Sequence, residues 1–184
     1  MKLSRLKLWL VAPLVFVAST LPVRCESLPW KVVNAKIRTE FPGVLRIRTA
    51  ELAEWLADEK RQMPILLDVR TAAEFEVSHL RDAQNVAPDS PASAIKLAKD
   101  QPIVTYCSIG YRSGGFAERL RQAGYVRIVN LEGSIFRWAN EGRPLFRGTE
   151  RVTEVHPYNR IWGLLLARKF RAQVESVPNG RPQH

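Results

Sequence analysis

Along Val44 to Ile47 apolar and basic residues alternate, the pattern of a strand at a sheet edge. A helix is predicted next. Thr49 serves as its cap, Glu51 and Glu54 suit its positive end, Leu52, Trp55 and Leu56 form one apolar face, and Lys60 and Arg61 suit the negative end before Pro64. Ile65 to Val69 and Ile103 to Tyr106 are nearly continuous apolar runs, as in strands buried on both faces. Between them Ser90 and Pro91 predict the start of a second helix, with Ala94, Ile95 and Ala98 turned inward. Phe116, Ala117, Leu120 and Ala123 recur at helical spacing up to a stop at Gly124, and Arg127 to Leu131 returns to strand character.

Strands separated by helices over residues 44–145 predict an α/β fold with a parallel sheet covered on both faces. In such sheets reactive groups gather just beyond the carboxyl ends of the strands. Cys107 stands at that place.

Length and composition fit one domain with appendages. The 184 residues are 46% hydrophobic and 25% charged, the usage of a globular chain with a packed core. The formal net charge of +10 is unevenly placed. Residues 1–25 hold four basic and no acidic side chains, residues 134–184 hold nine against four, and residues 26–133 hold 15 against 14. A nearly neutral body lacks the broad basic surface that nucleic-acid binding requires, so no nucleic-acid partner is expected.

Lys2, Arg5 and Lys7 precede an apolar run from Leu8 to Val17 and the small residues Ala18, Ser19 and Thr20, the layout of a secretory signal. Cleavage after Ser19 would leave Thr20 first, and the expected location is periplasmic or an equivalent extracytoplasmic compartment. The alternative is a short membrane anchor, although the run, interrupted by Pro13, falls short of the ~20 residues that span hydrocarbon. The chain then divides into the signal or anchor at 1–19, a lead-in without an assigned element at 20–43, a domain at 44–146 and an extension at 147–184. Of the two cysteines, Cys25 lies in the lead-in, and two free thiols are expected.

The segment Cys107, Ser108, Ile109, Gly110, Tyr111, Arg112 joins a buried strand to a helix expected to begin near Ser113. With Gly110 free to take a positive φ, so tight a turn can aim backbone N–H groups at the sulfur, and the helix end and Arg112 also favour a negative charge there. A core cysteine would need none of this. Asp68 is read as a partner of a nearby arginine such as Arg70, His79 as a structural histidine and Trp138 as core. His79, His156 and His184 lack metal-ligand spacing, so no metal is expected.

Over residues 44–146 the chain resembles the rhodanese-like family. The resemblance rests on Leu67-Asp68-Val69-Arg70, Glu74-Phe75, His79-Leu80, Asn85-Val86, the loop Tyr106 to Ser113, and Leu131-Glu132-Gly133 through Trp138 to Gly142-Arg143-Pro144, in the family's order. It implies a five-stranded parallel sheet flanked by helices, catalysis by Cys107 through a persulfide without a cofactor, and binding of an anionic sulfur donor by Ser108 to Ser113. Asp68 and Arg70 support the site, and a thiol or cyanide-like molecule accepts the sulfur. The alternative is an exported binding or sulfur-delivery module with little turnover on small donors. Ser78 and Asp82 depart from glycines of the family pattern. Related phosphatases place five residues between cysteine and arginine; here four intervene, which suits sulfur better than a phosphate ester.

In the extension Ile161, Trp162, Leu165, Leu166 and Phe170 recur at helical spacing opposite Arg160, Arg168 and Arg171. This predicts a basic amphipathic helix docked on the domain with Trp162 as anchor. Peripheral contact with an anionic membrane through Arg160 to Arg171 is the alternative. For the N-terminal segment, the chain recovered from its native compartment is expected to begin near Thr20 when its intact mass is read. An intact Met1 end in a soluble cytoplasmic fraction would overturn export, and recovery of the full chain only with detergent would favour the anchor.

Overall fold

The structure, a computed structural model, describes residues 27–173. The predicted signal segment and Cys25 lie outside the described residues. Five parallel strands form the main sheet: β1 (Leu45–Ile47), β2 (Ile65–Asp68), β3 (Gln84–Asn85), β4 (Ile103–Tyr106) and β5 (Ile128–Leu131), in the spatial order β1-β5-β4-β2-β3. β4 is central, with Ile65 opposite Ile103 on one side and Val104 opposite Val129 on the other. β1 lies at an edge, as its alternation predicts. β6 (Leu145–Arg147) and β7 (Glu150–Val152) make a separate antiparallel hairpin.

Two apolar clusters cover the two faces. On one, Phe116, Ala117 and Leu120 of α4 (Tyr111–Gln122) pack on Leu67, Ile103 and Ile128. On the other, Leu52 and Trp55 of α2 (Thr49–Ala57) and Ile135, Phe136 and Trp138 of α5 (Ser134–Asn140) pack on Leu66, Val104 and Leu131. Trp138 is core, its Nε1–H donating to the Pro144 carbonyl at 2.9 Å.

Several expectations are corrected. The lead-in contains a 13-residue helix, α1 (Leu28–Glu40), whose Trp30, Asn34 and Ile37 are buried at intervals of four and three. Arg48, not Thr49, caps α2, with Glu51 reaching back to the Arg48 backbone N–H at 2.9 Å. Thr49 is the first helical residue, and its hydroxyl donates to Glu141. α2 stops at Ala57, so Lys60 and Arg61 lie beyond it, and Arg61 covers the Trp55 ring at 3.8 Å. Between β3 and β4 only one 3-10 turn forms, Ala92–Ala94. Ala92, Ile95 and Leu97 touch the core while Ala94 and Ala98 are exposed, a spacing that does not make a helical stripe.

The C-terminal segment docks on the domain but is not one helix. It forms two 3-10 turns, Trp162–Leu165 and Arg168–Phe170. The Asn159 carboxamide accepts from the Ile161 and Trp162 N–H groups, starting a tight turn, and Gly163 packs against Pro157 where a Cβ would come to 3.1 Å. The side chain of Asn140 then clasps the segment, donating to the Leu165 carbonyl and accepting from the Ala167 N–H, each at 2.7 Å. Leu166 is the anchor at 0% exposure, whereas Trp162 is 36% exposed. Among the described residues no helix is long and apolar enough to cross a membrane. Leu166→Ala is therefore expected to cost about 2–4 kcal/mol in denaturant unfolding and Trp162→Ala less than about 1 kcal/mol. The reverse ranking would restore Trp162 as the anchor.

Candidate active site

Cys107 follows β4 directly and is 1% exposed. α4 begins at Tyr111, two residues earlier than its expected start near Ser113, so the turn proper is Cys107 to Gly110 and Tyr111, Arg112 and Ser113 form the first helical turn. Gly110 caps that helix at φ +106°, a conformation that costs other residues roughly 1–2 kcal/mol. It turns the Gly110 N–H onto the Cys107 sulfur at 3.2 Å, one of the inward donors that the loop's sequence predicts. The Gly110 carbonyl accepts from Asn130 Nδ2 at 2.9 Å, and Asn130 Oδ1 accepts from the Ser113 hydroxyl at 2.7 Å.

The opposite side of the turn is fixed by α5. Gly133 and Ser134 both take positive φ, and the Ser134 hydroxyl accepts from the Cys107 N–H at 3.1 Å while donating to the Leu131 carbonyl. The N–H groups of Ile135 and Phe136 donate to the carbonyls of Cys107 and Ser108, each at 3.2 Å. Backbone groups that a strand end would leave open are thereby paired.

Arg112 does not stand free. Its two terminal nitrogens donate to the two carboxylate oxygens of Glu74 at 2.8 and 2.7 Å, and one also reaches the Ser108 hydroxyl at 3.0 Å. That hydroxyl donates to Glu74 at 2.9 Å. Burial pushes the Glu74 carboxyl up, but the hydrogen bonds and charge of Arg112, joined by Arg70 and the Thr71 N–H, outweigh it and bring it from its ordinary 4.5 to about 2. Burial likewise pushes Arg112 down, and Glu74 and Cys107 outweigh it, leaving the guanidinium raised.

Farther from the sulfur, Asp68 pairs with Arg70 as read from the sequence. The guanidinium Nε donates to Asp68 at 2.8 Å and one terminal nitrogen at 2.6 Å, both side chains wholly buried. The pair ties the end of β2 to the Ser78 carbonyl, beside the strand that carries Cys107. His79 is structural: it stacks on Phe75 at 4.2 Å, its Nδ1 lies 2.8 Å from the Leu80 carbonyl, and its Nε2 accepts from the Gly148 N–H. Among the described residues no cluster of His, Cys, Asp or Glu could hold a metal ion.

A family model described as Rhodanese-like domain matches residues 49–141. The chain belongs to the rhodanese-like domain family. It is 35% identical over 103 residues to a sulfurtransferase of Allochromatium vinosum, covering 55% of this chain and 94% of that protein. It is 34% identical over 139 residues to the probable adenylyltransferase/sulfurtransferase MoeZ of Mycobacterium tuberculosis, covering 68% of this chain and 35% of that longer protein. The solved BH2092 protein of Bacillus halodurans, 22% identical, aligns over 68% of this chain and 90% of its own with a TM-score of 0.50, a likeness of fold.

The rhodanese-like pattern is kept at the loop and altered at the turn before β3. Asp82 holds φ +57°, a left-handed conformation that aspartate tolerates better than most residues. Ser78 is extended and buried, and its hydroxyl makes no hydrogen bond within the structure. Sequence reading missed Glu74, Asn130 and Ser134 as parts of the site. Thr71 and Glu74 form a capping box around α3 (Ala72–Val77), so Glu74 reads as a helix-start residue; only the fold shows its carboxylate turned to Arg112. Asn130 carries a plainer signal, a polar residue inside the apolar run Ile128 to Leu131.

A carboxyl depressed in the folded state stabilises above its ordinary value, and that contribution is lost as pH falls from 4.5 to about 2. At neutral pH it amounts to about 3 kcal/mol at most. Glu74→Gln is therefore expected to melt well below wild type near about pH 6 and to close most of that gap towards about pH 2. A gap independent of pH would show that the Glu74 charge does not hold the loop.

Proposed function

We propose that Cys107 accepts sulfane sulfur as a persulfide and hands it to a thiophilic acceptor. The observation that carries the reading is the Cys107 sulfur at the head of the central strand, facing the Gly110 N–H in a turn held from both sides. The family match and the sulfurtransferase relatives support it.

In the first half-reaction the Cys107 thiolate attacks the outer sulfur of thiosulfate, a persulfide or a polysulfide. A bond forms between the two sulfurs, the donor's sulfur–sulfur bond breaks, and the electron pair leaves with sulfite, thiolate or a shortened polysulfide. In the second, the acceptor attacks the outer sulfur and Cys107 departs as thiolate. With cyanide the product is thiocyanate. The Gly110 N–H and the first turn of α4 hold the negative sulfur through both steps. Ser108 and Arg112 act as positioning residues, joined through Glu74, and the two displacements as written call for no cofactor.

A small anionic sulfur donor, a thiol or cyanide-like acceptor and an extracytoplasmic location belong to the same proposal. Its alternative is a delivery module that loads slowly from small donors. Cys107→Ser is expected to lower thiocyanate formation by at least ~100-fold and to remove the mass gain of one sulfur after polysulfide treatment, while Cys25→Ser keeps both. Equal losses in the two variants would refute the assignment of Cys107. A persulfide that forms on Cys107 without turnover to cyanide would favour the delivery module.

A further inference from the structure

A cavity of about 310 Å³ opens over Cys107. Its floor comes from the catalytic loop and the first turn of α4, and the rest of its lining comes from two segments that the family model does not match. Val32, Val33 and Ile37 of α1, Tyr158 and Trp162 of the C-terminal segment and Ile109 of the loop line it. Both wall segments lie outside residues 49–141. Apart from Lys36 they line it with apolar and aromatic side chains, although the expected donor is an anion.

The charge available to a ligand is small. Lys36 and Arg112 are the charged residues lining the cavity. Arg112 is compensated by the buried Glu74 at two short hydrogen bonds, and its guanidinium lies 4.5 Å over the Tyr158 ring. That leaves Lys36, an exposed side chain 5.7 Å from the Tyr111 ring and itself 3.8 Å from the Glu40 carboxylate. Thiosulfate is a dianion whose sulfonate oxygens would exchange water for mostly apolar walls, a costly transfer where hydrogen-bond partners are few. An organic group gains from the same walls, and the volume lies at the lower end of the ~300–1,000 Å³ of small-molecule sites.

From this cavity we infer that the preferred sulfur donor is an organic persulfide whose apolar aryl or alkyl group occupies the space between α1 and the C-terminal segment. The inference rests on the persulfide chemistry assigned to Cys107 and narrows its substrate. The Cys107 thiolate attacks the outer sulfur of R–S–SH, the inner sulfur leaves as R–S⁻, and Cys107 keeps the –S–SH group, which loses its proton to solvent. Lys36 faces the single negative charge of the departing thiolate. The hydrophobic wall holds R in both states.

The test compares benzyl persulfide, inorganic polysulfide and thiosulfate as donors to the full mature chain, following the gain of one sulfur on Cys107 by rapid-quench intact mass. The benzyl donor is expected to load Cys107 with kcat/KM at least about tenfold above thiosulfate. Trp162→Ala and Val32→Asp, both at exposed wall positions, are expected to shrink the ratio of benzyl to polysulfide loading at least about fivefold. Equal rates with benzyl persulfide and thiosulfate, or a ratio that neither variant moves, would overturn the inference and leave sulfur transfer intact. Failure of Cys107 to load from any donor would remove the persulfide chemistry itself, and the inference with it.

Discussion

The arrangement around Cys107 depends on one buried carboxylate. Glu74 belongs to a short helix remote in sequence from the loop, yet it receives Arg112, Ser108 and the Thr71 N–H at once. An isolated charge at that depth would be strongly destabilising, and the bidentate guanidinium is what permits it. The pair therefore fixes more than its own geometry. It sets the distance between α3 and the first turn of α4, and through Ser108 it holds the side of the turn that Asn130 and Ser134 do not reach. Removing one partner would leave the other buried without compensation, a larger loss than a surface ion pair could produce.

Much of this architecture was legible in the sequence where the signal is local and apolar. The buried runs Ile65 to Val69 and Ile103 to Tyr106 became the paired centre of the sheet, and the Cys107 to Arg112 turn kept the glycine its geometry requires. Illegible parts fall into two kinds. The 3-10 turns at Ala92–Ala94 and Trp162–Leu165 arise because tertiary contacts and the Asn159 side chain override helical spacing. Glu74 was hidden for another reason: one carboxylate satisfies both a capping box and a distant arginine, and the first role explains the sequence completely without the second.

The parts outside the matched domain matter more than their lack of strong sequence signals suggests. α1 gives the core Trp30 and Ile37, and the C-terminal segment gives it Val155 and Leu166. Both also reach the mouth of the site. The same segments thus carry two separate demands, burial on their inner side and a wall on their outer side. Trp162 shows the division well, since it is too exposed to anchor the segment yet lines the space above Cys107.

Loop rigidity and charge compensation have opposite consequences for a sulfur-handling cysteine. Straps from Asn130, Ser134 and the α5 backbone hold the turn in the conformation that presents the Gly110 N–H to sulfur, so that little ordering remains to be done to hold a negative charge there. Compensation of Arg112 by Glu74 works the other way, because it withdraws the strongest fixed cation from any ligand in the cavity. A site with rigid donors for one negative sulfur and little charge for a larger anion discriminates by what accompanies the sulfur. The walls of the cavity, supplied in part by α1 and the C-terminal segment, are thus the part of the site with room for a larger group, while the loop addresses a single sulfur.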